Sequence, residues 1–334
     1  VLNYLAVVIF VVLIFYLLFI GKDLLLPLVI AIALWYLILT LGNAFSRISI
    51  GQFQFPRPVC LLASFFTFIA FAWLTINFLS STVDDVLEIA PVYQQNLNAR
   101  LESLSFVDIG EYEGQSFGQL LSNWIDIPAY ARSIATSLTS ILASGGLILI
   151  YLGFLFLEQG HFSKKLSALV SDPTREKDVK ILLSRIRDDI QKYVIIKVFT
   201  SSLTGILSYV FLRFMEVDFA GVWGLIIFLL NFIPTVGSLV ATIFPALIAF
   251  AQSDGYTLFL LVLSGIGAIQ VCIGNILEPR LTGSSFNLSP IIILLNLALW
   301  GYIWDIPGMF LCVPFLIIIT IVFSHFPQTR PIAV

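Results

Sequence analysis

The sequence predicts an all-α polytopic membrane protein. Hydrophobic residues make up 59% of the 334 residues and charged residues only 11%, whereas a soluble domain carries about a quarter charged residues. Several apolar runs reach the roughly 20 residues that span the hydrocarbon core of a bilayer. Breaks at Gly and Pro recur in the C-terminal part of the chain. We therefore expect about five full spanning helices before and between two oppositely oriented broken or re-entrant helical hairpins, plus a C-terminal membrane helix arm.

Residues 1–79 are predicted to form a scaffold of three membrane helices. The apolar runs cover about Val1–Ile20, Leu24–Leu41 and Val59–Leu79. The first run has no small-residue cleavage site and a second run follows at once, so we expect a transmembrane helix rather than a signal peptide.

Residues 80–140 are acidic and too polar to span a membrane. Val83, Val86, Leu87 and Ala90 recur at the spacing of an amphipathic helix. Pro91 is expected to kink this helix. The pattern predicts an acidic amphipathic region outside the cytoplasm, with no ligand signature of its own.

A fourth membrane helix over residues 141–157 precedes a basic segment, residues 158–197. Apolar residues within Val179–Val194 recur at helical spacing, which predicts a basic amphipathic helix on the cytoplasmic surface. We expect this helix to run into a fifth membrane helix, about Val198–Phe214.

The distribution of Lys and Arg predicts one orientation, because these residues accumulate on the cytoplasmic side. The loops with Arg47–Arg57, Lys164–Lys197 and Glu278–Arg280 are expected inside, together with the C-terminus. The acidic residues 80–140 and the turn at Glu216–Asp218 are then outside. The rule does not separate a re-entrant hairpin from two full crossings, since both leave the flanking loops on the same side.

Residues 198–334 are predicted to hold a transport core with two broken hairpins, residues 220–252 and 288–326, joined by a helix of about Tyr256–Leu277. Each hairpin has a Trp-Gly pair, an amide or acid near Ile-Pro, a Gly and a further Pro. Broken backbone at membrane depth is tolerated where protein or a water-filled cavity satisfies it, and in transporters it lies at the substrate path. The candidate tip residues are Asn231, Pro234, Gly237 and Pro245 in the first hairpin, and Asp305, Pro307, Gly308 and Pro314 in the second.

Two interpretations of these tips are open. In the first, the tips meet near the bilayer midplane, and Asp305 is functional because an acid at membrane depth is costly. In the second, Asn231 and Asp305 cap helix ends, and the prolines start the next helices.

A candidate hinge follows the joining helix. Glu278, Pro279 and Arg280 come directly after it, and Gly283 lies just beyond. A Glu–Arg pair could latch the hinge; the alternative is a solvated loop with an Arg on the cytoplasmic side.

Helix five carries a polar face. Tyr193, Lys197, Ser201 and Gly205 recur every four residues. Small and hydroxyl residues on one face indicate close helix packing. A hydrophilic substrate lining is the alternative, and the two are compatible.

Several of these motifs resemble the autoinducer-2 exporter family of bacterial membrane transporters. The similar segments are Leu230–Gly237 with Pro245, Gly274–Gly283, Leu288–Pro290, the series Gly301, Gly308 and Pro314, and, more loosely, Leu87–Tyr93 and Tyr193. The resemblance covers nearly the whole chain, and its specific motifs lie in Tyr193–Pro314.

The resemblance implies a transporter of the bacterial inner membrane with two re-entrant hairpins, a homo-pentamer and an elevator-like movement. It implies export of autoinducer-2, a small polar signal, while some relatives are credited with sodium/proton antiport. Asp305 is not assigned by the resemblance, so its functional role is inferred from the residues alone.

Other function classes fit less well. An antiporter usually needs buried acids, and only Asp305 and Glu278 are candidates, with a proton or sodium as coupling ion. An intramembrane zinc protease needs His-Glu-x-x-His, and His161 and His325 are far apart. A scaffold protein would not need two polar-broken hairpins. We expect no enzyme activity, no cofactor, no metal and no nucleic-acid partner; the partners are the lipid bilayer and a small polar solute.

Overall fold

A computed structural model of the chain describes residues 2–46, 49–50, 53–54, 56–103, 127–169, 172–253, 255–283 and 289–325. The helices are α1 (Leu2–Ile20), α2 (Lys22–Ser46), α3 (Arg57–Ser103), α4 (Ile127–Leu169), α5 (Pro173–Phe214), α6 (Ala220–Leu230), α7 (Val236–Gln252), α8 (Tyr256–Gln270), a π-helix (Val271–Leu277), α9 (Glu278–Thr282) and α10 (Pro290–His325). A two-residue antiparallel pair, β1 (Ser49–Ile50) with β2 (Phe53–Gln54), lies between α2 and α3.

The predicted helical membrane class is confirmed. Within the described residues, five helices are long and apolar enough to cross a membrane: Lys22–Ser46, Arg57–Thr82, Pro173–Phe214, Tyr256–Thr282 and Pro290–His325. Two shorter apolar helices, Ala220–Leu230 and Val236–Gln252, lie between the third and fourth of these.

The helices extend beyond the predicted membrane segments. The helix that begins at Arg57 continues through Pro91 to Ser103, and α4 runs from Ile127 to Leu169. The basic amphipathic segment and the fifth membrane helix form one helix, Pro173–Phe214. Hydropathy marks only the apolar part of a helix, whereas the polar parts continue the same hydrogen-bonded ladder. The middle of the acidic region, residues 104–126, lies outside the described residues.

The chain divides into two compact units. Unit 1 comprises Val1–Ile69, Ala143–Ile196 and Thr282–Val334. Unit 2 comprises Ala70–Leu142 and Lys197–Leu281. Both α3 and α5 contribute residues to each unit.

The core of unit 1 is built on α2 and α4. Ala31 and Ile38 of α2 are buried with Leu152 of α4, and Trp35 and Phe65 pack against them. Because the sequence of α2 is apolar on all sides, its packing against α4, and not its hydrophobic pattern, determines which face is buried.

The core of unit 2 joins four helices. Leu212 of α5, Ile227 of α6, Ala241 of α7 and Ile266 of α8 belong to one buried cluster. Small residues along α7 let its neighbours approach closely.

The polar end of α3 belongs to unit 2 and packs on α7 within it. Tyr93 and Leu97 are buried against Phe250, the Tyr93 hydroxyl donates a hydrogen bond to Asp218, and the Asn96 amide donates to the Ala251 carbonyl at 3.2 Å. The segments joined here are those that the sequence assigns to the outer side.

Helices α6 and α7 form the first hairpin. The 11 residues of α6 rise only about 16 Å, roughly half of the hydrocarbon core. Thr235 adopts a positive φ of 61° between the two helices. A Cβ on Gly237 would lie 1.8 Å from the Leu230 carbonyl oxygen, so the turn requires glycine there.

The second hairpin is formed within α10. Trp304 and Asp305 have non-helical dihedral angles, with φ of 55° at Asp305. The Asn296 amide donates to the Cys312 carbonyl, 16 residues later, although such residues would lie about 24 Å apart in a straight helix. The two arms, residues 290–303 and 306–325, therefore fold back on each other.

The turns of the two hairpins share a glycine that packs against a backbone carbonyl. A Cβ on Gly308 would lie 2.0 Å from the Trp300 carbonyl oxygen, and a Cβ on Gly237 would lie 1.8 Å from the Leu230 carbonyl oxygen. The Trp-Gly pairs that suggest the sequence repeat are not equivalent in the structure. Gly224 faces Tyr209 of α5, whereas Gly301 lies in the first arm of the second hairpin and faces Met309 of the second arm.

Candidate functional site

The polar face of α5 is buried, and its apolar face is exposed. The fully buried residues are Thr200, Ser201, Thr204 and Ser208, and the exposed ones include Phe199, Ile206 and Val210. This is the reverse of a helix in a soluble protein. It is expected of a membrane helix whose polar side chains face the protein interior.

Lys197 and Glu278 form an ion pair on this face. The Lys197 Nζ lies 2.8 Å and 3.0 Å from the two carboxylate oxygens of Glu278. The side chains are only 8% and 22% exposed, and the Thr200 hydroxyl donates to the same carboxylate at 3.3 Å. Each charge compensates the other in surroundings where an isolated charge would be costly.

The tip of the first hairpin reaches the same face. Asn231 ends α6, where its backbone N–H donates to the Ile227 carbonyl at 3.0 Å. Its buried side-chain amide donates to the Ser201 hydroxyl at 3.1 Å. The structure thus brings together the predicted hairpin tip and the predicted polar face of helix five. We call Lys197, Thr200, Ser201, Asn231 and Glu278 the polar cluster.

Gly205 has a packing role on this face. A Cβ there would lie 2.8 Å from both the Gly224 carbonyl oxygen and the Phe228 Cβ. α5 and α6 therefore cross closely, as small residues allow in membranes. The polar face of helix five combines packing with the polar cluster.

The candidate hinge begins at an irregular helix. The π-helix Val271–Leu277 leads directly into Glu278, and isolated π-turns are frequent at functional sites. The cation that Glu278 pairs with is Lys197 of another helix; Arg280 is exposed, as is Pro279. Gly283 has a φ of 62°, a conformation that favours glycine.

Asp305 lies in unit 1, at the turn between α1 and α2. Its carboxylate is 74% exposed and lies 3.2 Å from the Lys22 ammonium group, at the start of a candidate membrane span. The Trp304 indole donates to the Leu18 carbonyl at 3.0 Å, which fixes the tip at this turn. Exposure and pairing favour the interpretation of Asp305 as a residue at a helix end. Its role in a substrate path stays a prediction.

The remaining predicted residues occupy helix interiors and turns. Pro245 is buried inside α7, and Pro314 lies inside the second arm of α10. Pro234 and Pro307 are half-buried beside the two turns. Tyr193 is half-buried on α5, in the part that belongs to unit 1.

Gln270 is a buried polar residue that the sequence reasoning missed. It ends α8 and is 8% exposed, and its side-chain Nε2 has no hydrogen-bond partner among the residues that the structure describes. Val262 and Ile266 are buried at positions eight and four residues earlier. The signal available in the sequence was a glutamine that continues this apolar stripe.

The comparisons with known proteins agree with the membrane architecture. The family described as AI-2E family transporter matches residues 5–328. AI-2 transport protein TqsA of Escherichia coli (strain K12) is 30% identical over 287 residues, which cover 85% of this chain and 82% of TqsA. A "Putative transport protein" of Borreliella burgdorferi is 27% identical over 310 residues, 90% of this chain and 80% of that protein. The chain belongs to the AI-2E transporter family and works in a lipid bilayer.

Proposed function

We propose that this transporter exports a small polar organic solute of the autoinducer-2 kind, and that the solute passes along the polar cluster. The single observation that carries the proposal is the buried contact between Asn231 and Ser201, one helical turn from the Lys197–Glu278 pair. Polar groups inside a membrane protein are costly and mark solute or ion paths.

The chemistry of the polar cluster suits a neutral or weakly anionic solute. Lys197 and Asn231 supply N–H donors, Ser201 and Thr200 supply hydroxyl groups that donate and accept, and Glu278 accepts. The compensated charges leave no net charge for a strongly ionic ligand. The name of TqsA states transport of AI-2, which supports the same substrate class.

We further propose a re-entrant first hairpin and an elevator-like movement. The support for re-entry is the short rise of α6, which ends at Asn231 beside Ser201. The support for movement is that the chain passes from unit 2 to unit 1 between Leu281 and Thr282, next to Gly283 with its positive φ. A homo-pentamer is the assembly that we propose, and light scattering of the purified protein measures it.

Sodium/proton antiport is the second candidate function. The observation that favours it is the partly exposed Glu278 carboxylate, which Lys197 and Thr200 contact. In an antiporter, the Glu278 carboxylate would release the Lys197 ammonium group and bind a proton or a sodium ion in its place. Antiport predicts proton movement on addition of sodium to liposomes that contain the protein alone.

The test is autoinducer-2 flux in proteoliposomes, with and without an imposed proton gradient. We expect flux from the wild-type protein and its loss in Asn231→Ala. Asn96→Ala is the matched control, because Asn96 also lies in unit 2 and also makes one amide hydrogen bond, to Ala251. Flux in Asn231→Ala equal to that in Asn96→Ala would contradict the assigned path. Sodium-driven proton movement without autoinducer-2 flux would favour antiport.

A further inference from the structure

Gln270 and Ser208 are buried polar side chains of unit 2 for which the described residues offer no hydrogen-bond partner. The Ser208 hydroxyl is fully buried, and Gln270 is 8% exposed with an unpaired Nε2. Burying a donor without an acceptor destabilises a folded protein, and each such group in a native structure needs an explanation.

Both groups lie between the apolar core and the ion pair. At one end of the helix pair, the Phe211 ring of α5 lies against Gly265 of α8, where an added Cβ would be 2.2 Å from it, and the next residues, Leu212 and Ile266, belong to one apolar cluster. At the other end, Lys197 of α5 pairs with Glu278. The α5 helix therefore runs antiparallel to the stretch from α8 to α9.

This register places the two groups in the same layer. Ser208 lies one turn from Leu212 on the way to Lys197, and Gln270 lies one turn from Ile266 on the way to Glu278. Both are on the buried faces of their helices. Beyond them on α5 come Thr204 and then the polar cluster, which includes Ser201, Thr200 and Lys197.

We propose that Ser208 and Gln270 are ligand-contacting residues that extend the solute path of the polar cluster, with Gln270 donating a hydrogen bond to an oxygen of the solute. This inference rests on the proposed function. The solute class that it selects is a small molecule with hydroxyl and carbonyl oxygens on more than one side, because donors are spread from Lys197 to Gln270.

The alternative explanation is a structural one, in which Gln270 holds a buried water. The two explanations differ in what an apolar replacement does. Replacing a group that is unpaired in the resting protein by an apolar one of similar shape is neutral or stabilising, whereas removing a hydrogen-bonding group that supports the fold is destabilising. Met matches the length of Gln and removes its amide.

The experiment compares Gln270→Met with Gln252→Met in the full-length protein. Gln252 is the matched control, because its side chain donates to the Glu216 carbonyl at 2.8 Å and accepts from the Asp218 N–H at 3.0 Å. The measurements are the thermal midpoint in detergent and the KM for autoinducer-2 flux in proteoliposomes. Ser208→Ala is measured in the same way.

We expect Gln270→Met to raise the KM by roughly tenfold, the factor that a typical lost hydrogen bond gives, and to keep or raise the thermal midpoint. Gln252→Met is expected to lower the midpoint by about 2–4 °C and to leave the KM unchanged. An unchanged KM in Gln270→Met, or a midpoint lowered as in Gln252→Met, would overturn the inference. No flux from the wild-type protein would refute the proposed function instead, and the midpoints would still decide between a ligand-contacting and a structural Gln270.

Discussion

The Lys197–Glu278 pair gives the sharpest stability prediction. The perturbation is Glu278→Gln, which keeps the shape of the side chain and removes its charge. At a separation of 2.8 Å and an effective dielectric constant of about 20, the attraction is about 6 kcal/mol. Desolvation of the two charges offsets part of it, and removing one partner of a buried pair costs about 3–5 kcal/mol because the other charge is left uncompensated.

The assay is thermal unfolding in detergent, followed by loss of the monodisperse peak on size-exclusion chromatography. We expect Glu278→Gln to lower the midpoint by roughly 6–20 °C. Asp305→Asn is the matched control, because its pair with Lys22 is 74% exposed at the carboxylate and exposed pairs contribute about 0–1 kcal/mol.

The double variant Lys197→Met/Glu278→Met tests the cause. An apolar pair of similar volume leaves no buried charge, so we expect its midpoint to recover most of the loss seen in Glu278→Gln. A Glu278→Gln protein as stable as Asp305→Asn, or a double variant less stable than Glu278→Gln, would contradict a stabilising buried ion pair.

Two further predictions concern the turn of the first hairpin and the outer end of α3. Gly237→Ala should prevent folding of the hairpin, since its Cβ would lie 1.8 Å from the Leu230 oxygen. Gly274→Ala should fold, since no atom of the described part of the chain lies within 4 Å of its Cβ. The yield of folded protein measures both. Tyr93→Phe should cost about 1 kcal/mol, because it loses a hydrogen bond to the exposed Asp218. Burial and this hydrogen bond raise the pKa of Tyr93 above its usual range, so the contribution is fully present below the ordinary tyrosine pKa and is lost only as the pH rises through the raised one. A stability difference between wild type and Tyr93→Phe that disappears near neutral pH would contradict this.

The membrane class and the polar face of helix five could be predicted from the sequence, because both are local patterns. Apolar runs and a polar residue every four positions can be recognised without knowing which helices pack against them. The partner of Glu278 could not be read from its neighbours, since the nearby Arg280 is exposed and the cation comes from Lys197, a residue 81 positions away. Pairing across helices depends on tertiary packing, which single-sequence patterns do not contain.

Helix ends and repeats were harder to predict for a different reason. The spacing of Val83, Val86, Leu87 and Ala90 predicts the amphipathic part of α3, but not that one unbroken helix runs from the membrane segment to Ser103, because hydropathy does not report backbone hydrogen bonds. The Trp-Gly pairs look like a repeat, but the elements that share geometry are the turn glycines, Gly237 and Gly308. Asp305 is singled out in the sequence by the cost of an acid at membrane depth; its pairing with Lys22 of another helix has no signal in the sequence, and its role in a substrate path stays a prediction.

The proposed function requires that the polar cluster of unit 2 lines the solute path. Cysteine substitution at Ser201, in a protein whose Cys60, Cys272 and Cys312 have been replaced by serine, tests it most directly. A membrane-impermeant thiol reagent is applied to each side of oriented vesicles, with and without autoinducer-2. The claim predicts that Ser201→Cys reacts and that autoinducer-2 slows the reaction, while Thr242→Cys on α7, outside the cluster, is not protected. A Ser201→Cys variant that transports normally and reacts from neither side would contradict the claim.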